Sequence, residues 1–230
     1  MKLYSKKQPD YKPPVADRDS RLVFNAASAP LIDGSTEARK ITCLVVDDRQ
    51  DVLRVAFRSA SSIGTKISAA SKLAPESTPL LTFDVVVPET RRSALDSLSD
   101  PKLAEIIEAA NSNLSSLNMS IPSDSLSLAI ARLRSQPRPH GATDGLEALL
   151  LCAAIGVDLV ITDLDMPHLN GRGLLNALNG LAFASGFTLP QVAVISGAFE
   201  SCTTKDLIGD GASVVGIKPL DSAEFTTLIN

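Results

Sequence analysis

The sequence predicts an α/β protein built on a doubly wound parallel sheet. Four short, β-favouring apolar runs carry that prediction: residues 41–46 (ITCLVV), 158–163 (DLVITD), 192–196 (VAVIS) and 213–217 (SVVGI). They are continuous rather than alternating, which marks strands buried on both faces. Stretches of helical texture separate them, and strand–helix alternation with right-handed crossovers leaves a parallel sheet covered on both sides.

Residues 1–39 come first, rich in Lys, Pro, Asp and Ser and without sustained periodicity, and they read as a flexible N-terminal tail. Within them Leu22-Val23-Phe24 and Leu31-Ile32 are apolar enough to dock on a folded surface. The globular part spans residues 40–230, opening with the 41–46 strand and a helix that starts at Asp51. Residues 62–136 are expected to be an inserted, mainly helical subdomain. Its parts are a strand at 82–87 (TFDVVV), an Asp100-Pro101 helix start, and a stripe of Leu103, Ile106, Ile107, Ala110, Leu114 and Leu117. Leu126, Ala129, Ile130 and Leu133 trace a second stripe. Residues 136–140 (QPRPH) hold two prolines, which only an edge strand tolerates.

Further on, Ala148, Leu149, Cys152 and Ala153 recur on one face of a short crossover helix that Gly156 stops. Leu174, Leu175, Leu178 and Leu181 give the same spacing, and Asp221-Ser222 caps a closing helix through Phe225 and Leu228.

Composition excludes several classes. The chain has 230 residues, 44% of them hydrophobic, yet no apolar run approaches the roughly 18 residues of a membrane span. The N-terminal MKLYSKKQPDYKPP has lysines but no apolar stretch after them, so neither export nor membrane insertion is expected. A net charge of −4 argues against direct nucleic-acid binding, although residues 1–40 are locally basic, with eight Lys/Arg against five Asp/Glu. Cys43, Cys152 and Cys202 show no metal-ligand spacing and read as small packing residues, which fits a cytoplasmic protein. His140 and His168 do not form a metal pair, and His168 reads as a solvated loop residue.

The chemistry gathers where the strands end, as it does in open α/β sheets. Asp47-Asp48 ends the first strand, Asp163 the strand before Leu164-Asp165-Met166-Pro167, Ser196 the next and Lys218-Pro219 the last. Three carboxylates at one sheet edge repel one another unless a hard cation sits among them, and Mg2+ suits such a site. A phosphoryl group arriving on one carboxylate would need that metal, a lysine and a hydroxyl to satisfy its oxygens.

Each motif is common alone, but in order they are LVVDD, VITDLDMPHLNG, VAVISGA and GASVVGIKP. Together they resemble the receiver domain of two-component response regulators. The resemblance implies a flavodoxin-like five-stranded parallel sheet in the order 2-1-3-4-5, here with a long insertion between the first helix and the second strand. It implies that Asp47 and Asp48 hold Mg2+ together with Asp163, the phosphoacceptor, and the backbone carbonyl of Asp165. Ser196 would be the switch hydroxyl and Lys218 the phosphate-pairing cation, with a cis bond before Pro219. Residues 141–145 (GATDG) resemble the approach to the second helix.

The implied function is that of a non-enzymatic phosphoacceptor with slow autodephosphorylation. It would take its phosphoryl group from a histidine kinase or a histidine phosphotransfer protein. The 218–230 stretch holds about one helix and no output domain, so signalling is expected through contact with a downstream protein. One departure concerns readout, because Val215 stands where the family commonly has Tyr or Phe, and a valine cannot swing a ring between buried and exposed states. Two rivals are a pseudo-receiver that binds partners without phosphorylation, and a Mg2+-dependent phosphatase with Asp163 as nucleophile and Asp165 as acid.

Overall fold

Strand β2 (Arg39–Val46) is the centre of the architecture. Its alternate residues Ile41, Cys43 and Val45 pack into one apolar cluster while Leu44 and Val46 pack into another, so the strand is buried from both sides. In the structure, a computed structural model, residues 21–28, 39–73, 81–135, 141–185, 187–197 and 203–229 are described. The elements in chain order are β1 (Leu22–Phe24), β2, α1 (Gln50–Leu73), β3 (Leu81–Val85), α2 (Pro88–Asp96), α3 (Asp100–Leu114) and α4 (Ser123–Ser135). There follow α5 (Gly145–Ile155), β4 (Leu159–Thr162), α6 (Gly171–Ser185), β5 (Gln191–Ser196), α7 (Thr204–Gly209), β6 (Val214–Ile217) and α8 (Ser222–Ile229).

The sheet has six strands in the order β1-β6-β5-β4-β2-β3, parallel throughout except for β1. Taken from β3 to β6, its five parallel strands have the doubly wound order 2-1-3-4-5. Helices α1 and α8 contribute Leu53, Ala60, Ile63 and Leu228 to the cluster on one face. Helices α5, α6 and α7 cover the other.

Three differences from the expected organisation have physical causes. First, part of the presumed tail is a strand, because Leu22, Val23 and Phe24 pair antiparallel with Gly216, Val215 and Val214. Leu22 is buried, and the strand covers the backbone edge that β6 would otherwise leave open. Second, the edge strand beside β2 is β3, from within residues 62–136, with Arg39 opposite Leu81 and Cys43 opposite Val85. Helix α1 also continues through residues 62–73, and the helices of this segment, α2, α3 and α4, lie after the edge strand rather than before it. A run such as TFDVVV offers every ladder N–H, whereas Pro137 and Pro139 offer none. Residues 1–20, 29–38 and 136–140, with Leu31, Ile32, His140 and Cys202, lie outside the described residues.

Third, α5 is buried all round, from Gly145 to Cys152, rather than on one stripe. Helices α2 and α4 pack on its outer side and α3 packs on α6, forming a second helical layer over the first. Ile106, Ala110, Leu114, Ala129 and Leu133 join the same apolar cluster as Leu146, Leu149 and Leu178. Cys43 and Cys152 are wholly buried, and burial pushes the Cys152 thiol up to about 12 and that of Cys43 higher still, which leaves both unreactive.

Candidate functional site

Register brings the acidic residues together. Val46 of β2 lies opposite Thr162 of β4, so Asp47 and Asp163, each one residue past its strand, are neighbours at the carboxyl edge. The Asp163 N–H donates to Val46 O at 2.9 Å, and the Asp47 N–H to Ala142 O at 3.1 Å. Ser196 ends β5 opposite Ile217, and the next amide, that of Lys218, donates back to Ser196 O at 2.9 Å. The Lys218–Pro219 bond is cis, as the resemblance implies.

Side chains converge on the same point. Lys218 Nζ lies 2.5 Å from Asp47 Oδ2 and 3.1 Å from Asp163 Oδ2, so one ammonium bridges the two carboxylates. Their other oxygens are held by backbone: Asp47 Oδ1 accepts from the Arg49 N–H at 2.9 Å, and Asp163 Oδ1 from the Leu164 N–H at 2.8 Å. Asp48 is exposed, yet each of Asp47, Asp48 and Asp163 offers a carboxylate oxygen within 4.8 Å of the others. Burial, the largest influence, raises the Asp163 carboxyl above the usual range, and the Lys218 ammonium pulls it the other way. Asp165, two residues past Asp163, is exposed, and Ser196 is buried at the strand end. A cavity of about 390 Å3 opens between α1 and the strands, lined by Val52, Ala56, Ile161 and Leu220 together with Asp47, Asp163 and Lys218.

The donor set fits a hard divalent cation: three carboxylates, one of them (Asp47) only 2% exposed, with the Lys218 ammonium between two of them. The loop after Asp163 is held close to it. Gly171 N donates to Leu164 O at 2.9 Å, and a Cβ at Gly171 would stand 2.2 Å from Asp163 O, so only glycine allows this approach.

One group of polar side chains next to the site was not anticipated. Arg132 of α4 reaches Asp144, Glu147 and His168, the last an exposed loop residue as expected that also partners this guanidinium. Its signal in the sequence is faint: a basic residue late in a helix is ordinary, and nothing local points to its partners.

No family model matches the chain. Among solved structures it is similar to a response regulator receiver domain protein from Clostridium thermocellum, with 14% identity over 83% of this chain and 91% of that one and a TM-score of 0.44. It is also similar to the CheX-CheY-BeF3-Mg2+ complex from Borrelia burgdorferi, with 16% identity over 82% and 86% and a TM-score of 0.44. A third is the receiver domain of Francisella response regulator 1452, with 16% identity over 83% and 93% and a TM-score of 0.40. By its own strand order, 2-1-3-4-5 across the parallel part of the sheet, the chain has a flavodoxin-like doubly wound fold.

Proposed function

We propose that this chain is a phosphoacceptor response regulator that receives a phosphoryl group on Asp163 from a histidine phosphodonor and signals by contact with another protein. The observation that carries the reading is the Lys218 ammonium held between Asp47 and Asp163 at the carboxyl ends of neighbouring strands. A carboxyl whose pKa is raised by burial, with the Lys218 ammonium at its Oδ2, would act as nucleophile and have its product neutralised.

In the transfer, a carboxylate oxygen of Asp163 forms a bond to phosphorus as the P–N bond of the phosphohistidine breaks, and the electron pair returns to the imidazole nitrogen. The Leu164 amide keeps the second Asp163 oxygen fixed, so one oxygen is presented to the donor. Lys218 would turn from the carboxylates to the arriving phosphoryl oxygens, and the Ser196 hydroxyl would donate to another of them. A Mg2+ ion held by Asp47, Asp48, Asp163 and the Asp165 carbonyl would supply the remaining charge neutralisation. Attack of water on the acyl phosphate would return the carboxylate, giving slow autodephosphorylation.

Readout through an aromatic switch is not available at Val215, which is 1% exposed and paired with Val23 of β1. Incubation with Mg2+ and acetyl phosphate is expected to add one phosphoryl group, seen by intact-protein mass spectrometry and absent in Asp163→Asn. A folded wild type that gains no adduct overturns the proposal. Many turnovers of a simple phosphomonoester by each protein molecule would replace it with the phosphatase reading.

A further inference from the structure

We propose that Arg132 is a positioning residue through which the interposed helix α4 holds both loops that flank Asp163, so that the state of α2–α4 sets the rate of phosphoryl transfer. This rests on the reading of Asp163 as phosphoacceptor.

The geometry is specific. Arg132 Nη2 donates to Asp144 Oδ2, Nε lies 3.0 Å from Glu147 Oε1 without the alignment of a hydrogen bond, and Nη1 donates to His168 Nε2 at 3.1 Å. The first two contacts act on the loop before α5. Asp144 caps that helix by accepting from the Leu146 and Glu147 amides, and Glu147 Oε2 accepts from the Thr143 N–H and hydroxyl at 2.9 and 3.0 Å. That loop is continuous with the site, because Ala142 bridges to Val46 and its carbonyl receives the Asp47 amide. The third contact acts on the loop after β4. His168 stands five residues beyond Asp163, in a left-handed conformation with φ 63°, and the next carbonyl, that of Leu169, receives the Gly145 amide at 2.9 Å.

A planar guanidinium with a fixed fork of donors can define the spacing of two loops, which a lysine cannot. Stability alone does not account for the arrangement. Asp144 and Glu147 have side chains 0% and 1% exposed, and apolar packing would fasten α4 at least as well as two buried carboxylates under one cation. The contact to exposed His168 adds little to folding, yet it is the one that reaches the acceptor loop. A partner that shifts α4 would therefore change the chemistry at Asp163, and by linkage phosphorylation would change the affinity for that partner.

The test measures adduct formation and decay with acetyl phosphate and Mg2+ in the full chain, for wild type, His168→Ala, Arg132→Lys and the double variant. His168→Ala is expected to shift Tm by no more than about 3 °C, yet to change at least one rate by about threefold or more. Arg132→Lys should change the same rate in the same direction, and the double variant should match the larger single effect rather than their product. If wild type is labelled and both single variants form and lose the adduct at wild-type rates, Arg132 merely fastens α4 and the inference is wrong. If wild type is not labelled, the acceptor reading fails first and takes this inference with it.

Discussion

Replacing Lys218 by methionine keeps most of the buried stem and removes the ammonium that bridges Asp47 and Asp163. Taking one partner from a buried ion pair costs roughly 3–5 kcal/mol. Here the lysine side chain is 23% exposed, so water recovers part of that and the expected loss is about 2–3 kcal/mol. At roughly 2–4 °C per kcal/mol for a chain of this size, Tm should fall by about 4–12 °C in metal-free buffer. Mg2+ should then reverse much of the loss, since ligand at 100 times its dissociation constant adds about 2.7 kcal/mol to the folded state. The rise should be larger in Lys218→Met than in wild type, where the cation must first displace the ammonium from the same carboxylate oxygens. Thermal denaturation in EDTA and in saturating MgCl2 reads this directly, with Asp48→Asn as a control that weakens the rise. An equal Mg2+ effect in both proteins, or none in either, would refute the assignment of these carboxylates to a shared cation site.

Asp163→Asn should remove the adduct and also stabilise the protein at neutral pH. Burial raises the folded-state pKa of Asp163, so its contribution to stability is fully present below the ordinary value of 3.8 and is lost as pH rises through the folded value. The Tm gain of Asp163→Asn over wild type should therefore be present at neutral pH and fade on acidification toward 3.8, and a gain that grows on acidification would contradict it. Gly171→Ala places a methyl group 2.2 Å from the Asp163 carbonyl, so it should cost about 1–3 kcal/mol in denaturant titration and lower labelling of Asp163. Gly180→Ala puts a Cβ 2.5 Å from Ala109 O, where α3 crosses α6. It should cost a similar amount, about 1–3 kcal/mol, while labelling persists at temperatures where the protein stays folded.

Much of the site was legible because it is written in short-range patterns. A run such as ITCLVV followed by Asp47-Asp48, or VITD ending on Asp163, states both the strand and the residue at its end, and a parallel sheet then puts all such ends on one edge. The cis bond before Pro219 was implied by the resemblance. Where the chain pairs with distant parts of itself, local pattern was silent. Leu22-Val23-Phe24 is too short to declare itself a strand, and only the open edge of β6, nearly two hundred residues on, makes it one. The apolar run LEALLLCAAI could have disclosed a helix buried all round, since no face of it is polar after Glu147, but what buries it had to come from α2 and α4.

By itself, then, the sequence determined which polar residues end the strands and the class of sheet, because side-chain period and strand termini are properties of neighbouring residues. The tertiary structure alone decided that β3 is the edge strand, that α2–α4 form a second layer, and that Arg132 meets Asp144 12 residues away and His168 36 residues away. Those contacts depend on how elements stack across the fold, which no local periodicity encodes.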